Sequence, residues 1–224
     1  MSENQGKCAQ CPFKKSERYC NAVNGRAPEF CSSLLYRQAV ERSLETFRGS
    51  EEIMAFAAQA ARQEAACYGV SPYDPDRSTP LKPRIMEIIE FCQKQGYQKL
   101  GLAFCSGLSG EALALARILE SHGFEVVSVV CKVGCTDKRF LGLSDGDKID
   151  RGGHESMCNP IAQAMVLNEA GTQFNLMLGL CVGHDSLFFK YADAMTTVVA
   201  VKDRLLGHNP LAALYSNYYG FLKR

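Results

Sequence analysis

The stretch KLGLAFCSGLSGEALALARILESHGFEVVSVVC, residues 99–131, decides the fold. It opens on KLGLAFC, a short apolar run without polar alternation, as a strand buried on both faces requires. A small-residue turn, SGLSG (106–110), leads into EALALARILESHG, which is apolar at helical spacing and stopped at Gly123. A second apolar run, EVVSVVC (125–131), follows. Two such runs joined by one helix are a βα crossover, and crossovers build parallel sheets.

Working outward, the same grammar continues to the C-terminus. A helix begins at NPIAQAMVLNEAG (159–171), then come the run FNLMLGLC (174–181), the helix GHDSLFFKYADA and the run TTVVAVK (196–202). A last helix is expected over roughly NPLAALYSNYYGFL (209–222). The expectation for residues 98–224 is therefore an α/β domain: a parallel sheet of about four strands with flanking helices. Upstream, residues 32–97 read as a helical region packed on that core. One helix is expected from Cys31 to about Phe47, a second over EEIMAFAAQAARQEAACYG and a third over IMEIIEFCQKQG. The loop SPYDPDRSTPLKP, with four prolines, separates the last two. Residues 1–31 show little apolar periodicity and carry breakers at Pro12, Gly25 and Pro28. Four cysteines make this a metal-binding segment in which an ion replaces the missing core.

Composition narrows the function. The 224 residues are 46% hydrophobic and 22% charged, with a net charge of +1, so no basic field asks for nucleic acid. No apolar run reaches the length of about 20 residues that spans a bilayer. The polar N-terminus lacks the apolar region of an export signal, so a cytoplasmic location is expected. Eleven cysteines, an odd number, then argue for metal ligands or redox thiols rather than disulfides.

Cys105, Cys131 and Cys181 close three of the apolar runs, and Cys158 precedes the Asn159-Pro160 helix start. Their separations of 26, 27 and 23 residues each match one βα unit. Ligands of open α/β sheets gather beyond the carboxyl ends of the strands, where four such sulfurs can converge. The N-terminal set, Cys8, Cys11, Cys20 and Cys31, has the spacing C-x2-C-x8-C-x10-C. A Cys-x-x-Cys turn presents two thiolates to one metal, and two more complete a tetrahedral shell. For the core, strands about 4.8 Å apart spread their ligands more widely than one zinc ion needs, which favours an iron–sulfur cluster. At the N-terminal site zinc and a 4Fe–4S cluster stand equal.

Around the core cysteines, Ser106 in SGLSG, His184 after Cys181, and Lys202 and His208 after the last strand are expected to line a pocket for a small anion or redox partner. His154, four residues before Cys158, offers a further ligand or base. His122 reads as a helix-end residue, and the acids of SDGDKID (144–150) as a solvated loop lacking the terminal Glu of a calcium loop.

FCSGLSGEA, GFEVVSVVCKVG, CNPIAQA, GLCVGHDSLF and KDRLLGHNP together resemble a prokaryotic family of cysteine-rich proteins of unknown function, labelled "uncharacterised metal-binding protein". The resemblance implies metal at Cys8, Cys11, Cys20 and Cys31 and at Cys105, Cys131, Cys158 and Cys181, and leaves Cys135 outside the family positions. A second, architectural likeness links residues 102–130 to the opening of ATP-pyrophosphatase-type enzymes. Those carry Ser-Gly-Gly-x-Asp-Ser, whereas SGLSGE lacks the Asp and Gly beside the phosphate.

Three functions follow as expectations. The first is a metal-binding protein holding a 4Fe–4S cluster or zinc, with a redox, electron-transfer or metal-handling role. The second is an enzyme with a nucleotide- or anion-binding pocket that uses the core cluster. The third is a zinc-stabilised protein-interaction module. The expected partners are the metal ion or cluster and a redox protein or small anion, with neither nucleic acid nor membrane.

Overall fold

Strands β3 (Lys99–Phe104), β4 (Glu125–Val130), β5 (Phe174–Leu178) and β6 (Thr196–Ala200) form the central sheet of a computed structural model that describes residues 5–223. All three pairings are parallel and the order is β4-β3-β5-β6, so the expected α/β architecture with a four-stranded parallel sheet is present. The first four residues of the 1–31 leader lie outside the described residues.

Burial follows position in the sheet. β5 is buried at every residue, and β3 is buried from Leu100 to Ala103. The edge strands β4 and β6 are mostly half-buried. Helices α5 (Ser109–Ser121), α6 (Pro160–Glu169) and α7 (His184–Tyr191) follow β3, precede β5 and follow β5 respectively. Leu167 of α6 and Phe188 of α7 join Ala103, Val129, Met177 and Leu180 in one buried apolar cluster. Cys105 and Cys131 belong to that cluster, and Cys158 packs against it.

Two close approaches depend on glycine. A Cβ on Gly101, in the middle of β3, would run into the Asn175 side chain on β5. Gly179, with φ of +66°, turns the chain after β5, where a Cβ would strike Leu108.

The chain divides into two compact units, one up to Arg62 and one from Gln63. In the first, the leader folds as turns and single 3-10 turns. It is tied by Lys7 N–H to Phe30 O (3.1 Å), by Tyr19 N–H to Arg26 O (2.9 Å) and by the Arg26 guanidinium 4.2 Å from the Phe13 ring centre. The helix expected from Cys31 to Phe47 is two, α1 (Ser32–Leu35) and α2 (Arg37–Arg48), because Tyr36 leaves helical geometry (φ −112°, ψ 33°). Helix α3 (Glu51–Ala66) starts where the Ser50 hydroxyl accepts the Ile53 N–H (3.2 Å).

The second unit departs from expectation twice outside the sheet. The end of the expected second helix and the proline-rich loop instead form a short antiparallel pair, β1 (Tyr68–Val70) with β2 (Ser78–Pro80), before α4 (Arg84–Lys94). The last helix is not continuous: α8 (Ala212–Tyr215) ends at Ser216, whose extended backbone separates it from a distorted 3-10 segment, Asn217–Lys223.

Candidate metal and thiol site

The sheet order locates the site. The chain steps from β3 to β4 on one side, then crosses back over β3 to β5 and on to β6 on the other. Between β3 and β5 the winding therefore reverses, and the crevice beyond the carboxyl ends at such a reversal is where open α/β sheets hold ligands. Cys105 is the residue after β3 and Cys131 the residue after β4, while Cys181 lies three beyond the end of β5. Cys158 stands two residues before α6, and its neighbour Asn159 donates its N–H to the Cys131 carbonyl (2.8 Å). The Asn159 carboxamide oxygen accepts from Ala162 N–H (3.0 Å), capping α6 and holding that loop against the end of β4.

Cys131 and Cys158 meet. Their sulfurs are 3.8 Å apart, with the Cys158 S–H donating. The donated hydrogen bond pulls the Cys131 thiol well below its ordinary range; burial opposes this, while the Ser106 backbone N–H (3.3 Å), the Ser106 hydroxyl and the Lys132 charge assist. Cys158 moves the other way, raised first by holding the proton for Cys131, then by burial, and with a smaller contribution from the charge of Cys181. Within the pair the proton is favoured on Cys158 and disfavoured on Cys131. Gln163 on α6 is fully buried and donates to the carbonyls of Phe104 (3.2 Å) and Val129 (2.7 Å), fastening the helix to both strand ends.

Cations surround the sulfurs. The Arg204 guanidinium lies 3.1 Å from the Cys181 sulfur, a contact that strand and loop patterning did not foretell. The Lys202 ammonium lies over the β3–α5 turn, 3.2 Å from where a Gly107 Cβ would stand, and Cys105 Sγ is 4.0 Å from the same point. Ser106, Lys202, Cys105 and Cys131 therefore share the rim.

The two histidines differ. His184 is half-buried at the start of α7, with its backbone N–H on the Cys181 carbonyl (3.0 Å). His208 has a left-handed backbone (φ +65°) and closes its own loop: its N–H donates to Asp203 O (2.9 Å), and its Nδ1 accepts Asp203 N–H (3.1 Å). The His208 ring is thereby committed to a turn.

In the N-terminal unit, the Cys8 thiol bonds Ser32 Oγ at 3.1 Å, which returns the leader to the residue after Cys31. That bond holds the Cys8 thiol below its usual range. Cys20 is exposed, and Cys11 and Cys31 are half-buried. Among the described residues, no three His, Cys, Asp or Glu side chains are gathered closely enough to hold one metal ion, in either cysteine set. The fit to a thiolate-bound metal therefore rests on the donors and on one spacing. Zn–S bonds of about 2.3 Å place tetrahedral sulfurs about 3.8 Å apart, the distance between Cys131 and Cys158.

These features define a class: an α/β protein whose parallel sheet carries a set of cysteines on its carboxyl edge, at the reversal of winding. The chain belongs to a family of proteins of unknown function, DUF1847, whose pattern matches residues 31–199 and so spans all four core cysteines. It is also similar to an uncharacterised protein of Methanocaldococcus jannaschii, with 54% identity over 138 residues, 62% of this chain and 69% of the relative. No solved structure matches. No helix among the described residues is long and apolar enough to cross a membrane.

Proposed function

We propose that the protein works through a cysteine-ligated metal centre at the carboxyl rim of its sheet, held by Cys105, Cys131, Cys158 and Cys181. The observation that carries this reading is the Cys131–Cys158 pair: two sulfurs 3.8 Å apart beyond the carboxyl end of β4, on the edge where parallel sheets bind ligands. A metal that displaced the thiol protons would find two thiolates at the separation a tetrahedral ion requires. Cys105 and Cys181 supply the further sulfurs, for zinc or for a 4Fe–4S cluster. Lys132, Lys202 and Arg204 offset the negative charge that four thiolates leave. When bound, a cluster would supply one-electron chemistry and zinc Lewis acidity; the chain's residues position thiolates and cations. In the leader, Cys8, Cys11, Cys20 and Cys31 form the second, structural set.

A role in redox or metal handling follows, with a redox protein or small anion meeting the rim beside Ser106, His184 and Lys202. A second reading rests on the same 3.8 Å: a dithiol couple in which Cys131 attacks a partner's disulfide and expels one partner sulfur, and Cys158 then attacks the mixed disulfide, so that a Cys131–Cys158 disulfide forms and the partner leaves as a dithiol. Metal analysis and absorbance of anaerobically purified protein separate the two. Under the metal reading, the C131S/C158S double variant loses the core metal and any absorbance near 400 nm. Wild-type and double variant with equal metal content would overturn it, and a metal-free wild type that forms a Cys131–Cys158 disulfide would favour the dithiol couple.

A further inference from the structure

Cys135 stands outside both cysteine sets, yet its surroundings are organised. Gly134 and Cys135 adopt successive left-handed backbones, with φ of +89° and +49°. That conformation is uncommon for a residue with a side chain, and strain of this kind collects at functional sites. It leaves the Cys135 thiol exposed. The sulfur lies 3.6 Å from His154 Nε2, and His154 Nδ1 lies 3.1 Å from Asp137 Oδ2. Ser156 Oγ is 3.0 Å from the same Nε2 and 3.4 Å from the sulfur.

The imidazole thus has a carboxylate on one nitrogen and a thiol on the other. Asp137 and Cys135 sit on opposite ring nitrogens, so the three cannot converge on one ion; the arrangement is that of a nucleophile, a base and a group that orients the base. Asp137 is itself fixed. Its carboxylate accepts from Arg139 N–H (2.8 Å) and Glu155 N–H (3.3 Å), and the buried Lys148 ammonium is 3.8 Å away. These contacts, that with the Arg139 N–H first, hold it below the usual carboxylate range. An antiparallel bridge between Asp137 and Ser156 joins the two loops. The Lys148–Asp145 and Lys138–Glu155 ion pairs (2.8 and 2.6 Å) brace them.

The geometry points to Cys135 as a nucleophile, with His154 as its general base and Asp137 as the positioning residue, acting on acyl compounds with a good leaving group. With Nδ1–H directed at Asp137, Nε2 presents its lone pair to the thiol. Cys135 Sγ attacks the carbonyl carbon of an activated ester or thioester. The S–C bond forms, the bond to the leaving group breaks, and the thiol proton passes through His154 to the departing oxygen or sulfur. Water then attacks the acyl-enzyme, His154 takes its proton, and a carboxylic acid leaves as the Cys135 thiol is restored. The apolar side chains of Phe140, Leu141 and Ile149 are 76%, 57% and 81% exposed on the same loops, and they suit an apolar acyl group. Cys135, His154 and Asp137 are none of the proposed core ligands, so the acylation test can fail while the metal reading stands.

The test uses the full chain and p-nitrophenyl acetate. Wild-type protein should release a burst of about one equivalent of nitrophenolate and carry acetyl on the peptide containing Cys135, with C135S showing neither. H154Q should slow the burst roughly a hundred- to ten-thousand-fold, with added imidazole restoring part of the rate. Because both side chains are exposed, unchanged circular dichroism is expected in these variants. D137N should leave the label on Cys135 but slow the burst, with D137E restoring part of the rate, since the imidazole loses the carboxylate that fixes its tautomer. S156A should still acetylate Cys135. A burst that persists in C135S, an H154Q rate equal to wild type, or acetyl found on Ser156 would each overturn the assignment.

Discussion

Gly101 tests whether the central strand that delivers Cys105 to the rim is packed as described. In Gly101→Ala the new Cβ would overlap Asn175 Oδ1 and stand 2.8 Å from Leu167 Cδ1. Both neighbours are fully buried, and Asn175 Oδ1 bonds the buried Thr172 hydroxyl at 2.8 Å. Neither can swing into solvent. Overpacking of this kind costs about 1–3 kcal/mol, and displacing the carboxamide from its partner adds about 1–3 kcal/mol. The sum, about 2–6 kcal/mol, corresponds in a unit of this size to a drop in Tm of about 4–24 °C. Thermal unfolding followed by circular dichroism measures it. In an Asn175→Ala background the same substitution should cost about 1–3 kcal/mol less, because the carboxamide it would displace is gone. A change below about 1 °C in the wild-type background, or an equal cost in both, would refute the argument.

If the leader owes its order to metal, Cys11→Ser should release one metal equivalent and expose residues before Cys31 to protease while the sheet stays folded; unchanged metal content refutes it. Acid should weaken the second unit through Glu90. The Gln63 carboxamide first, and the Lys82 ammonium at 2.7 Å, hold its carboxyl down to about 2 in the folded chain, against about 4.3 when unfolded. A depressed folded value means this stabilisation is complete above about pH 4.3 and fades towards pH 2. Urea midpoints should therefore fall across that window in wild type and less steeply in Glu90→Gln; parallel curves would remove Glu90 from the account.

Much of this was legible in the residues alone. Continuous apolar runs between helical segments read as strands of a covered parallel sheet, and that local pattern held even for β4 and β6, which the sheet leaves half-buried at its edges. Cysteines recurring at the βα period had to reach one edge, because each repeat returns the chain to that edge. Local signals failed where distant segments decide. Ser71–Pro83 reads as loop from its prolines, but Tyr68–Val70 and Ser78–Pro80 pair because their backbones find each other. The final apolar spacing predicts one helix; Ser216 breaks it, and no sheet or bundle face in the pattern demanded continuity.

The candidate sites divide in the same way. Sequence alone put Cys105, Cys131 and Cys181 after strands and Cys158 before a helix start, since those are local features. Tertiary structure alone decided which sulfurs touch, placing Cys158 rather than Cys105 against Cys131 and Arg204 against Cys181. It also turned His208 inward to cap its own loop. Cys135, Asp137 and His154 carry no periodic signal, and what unites them is a bridge between two loops. Hydrogen bonds of that kind depend on the path of the whole chain, which a reading by local periodicity does not contain.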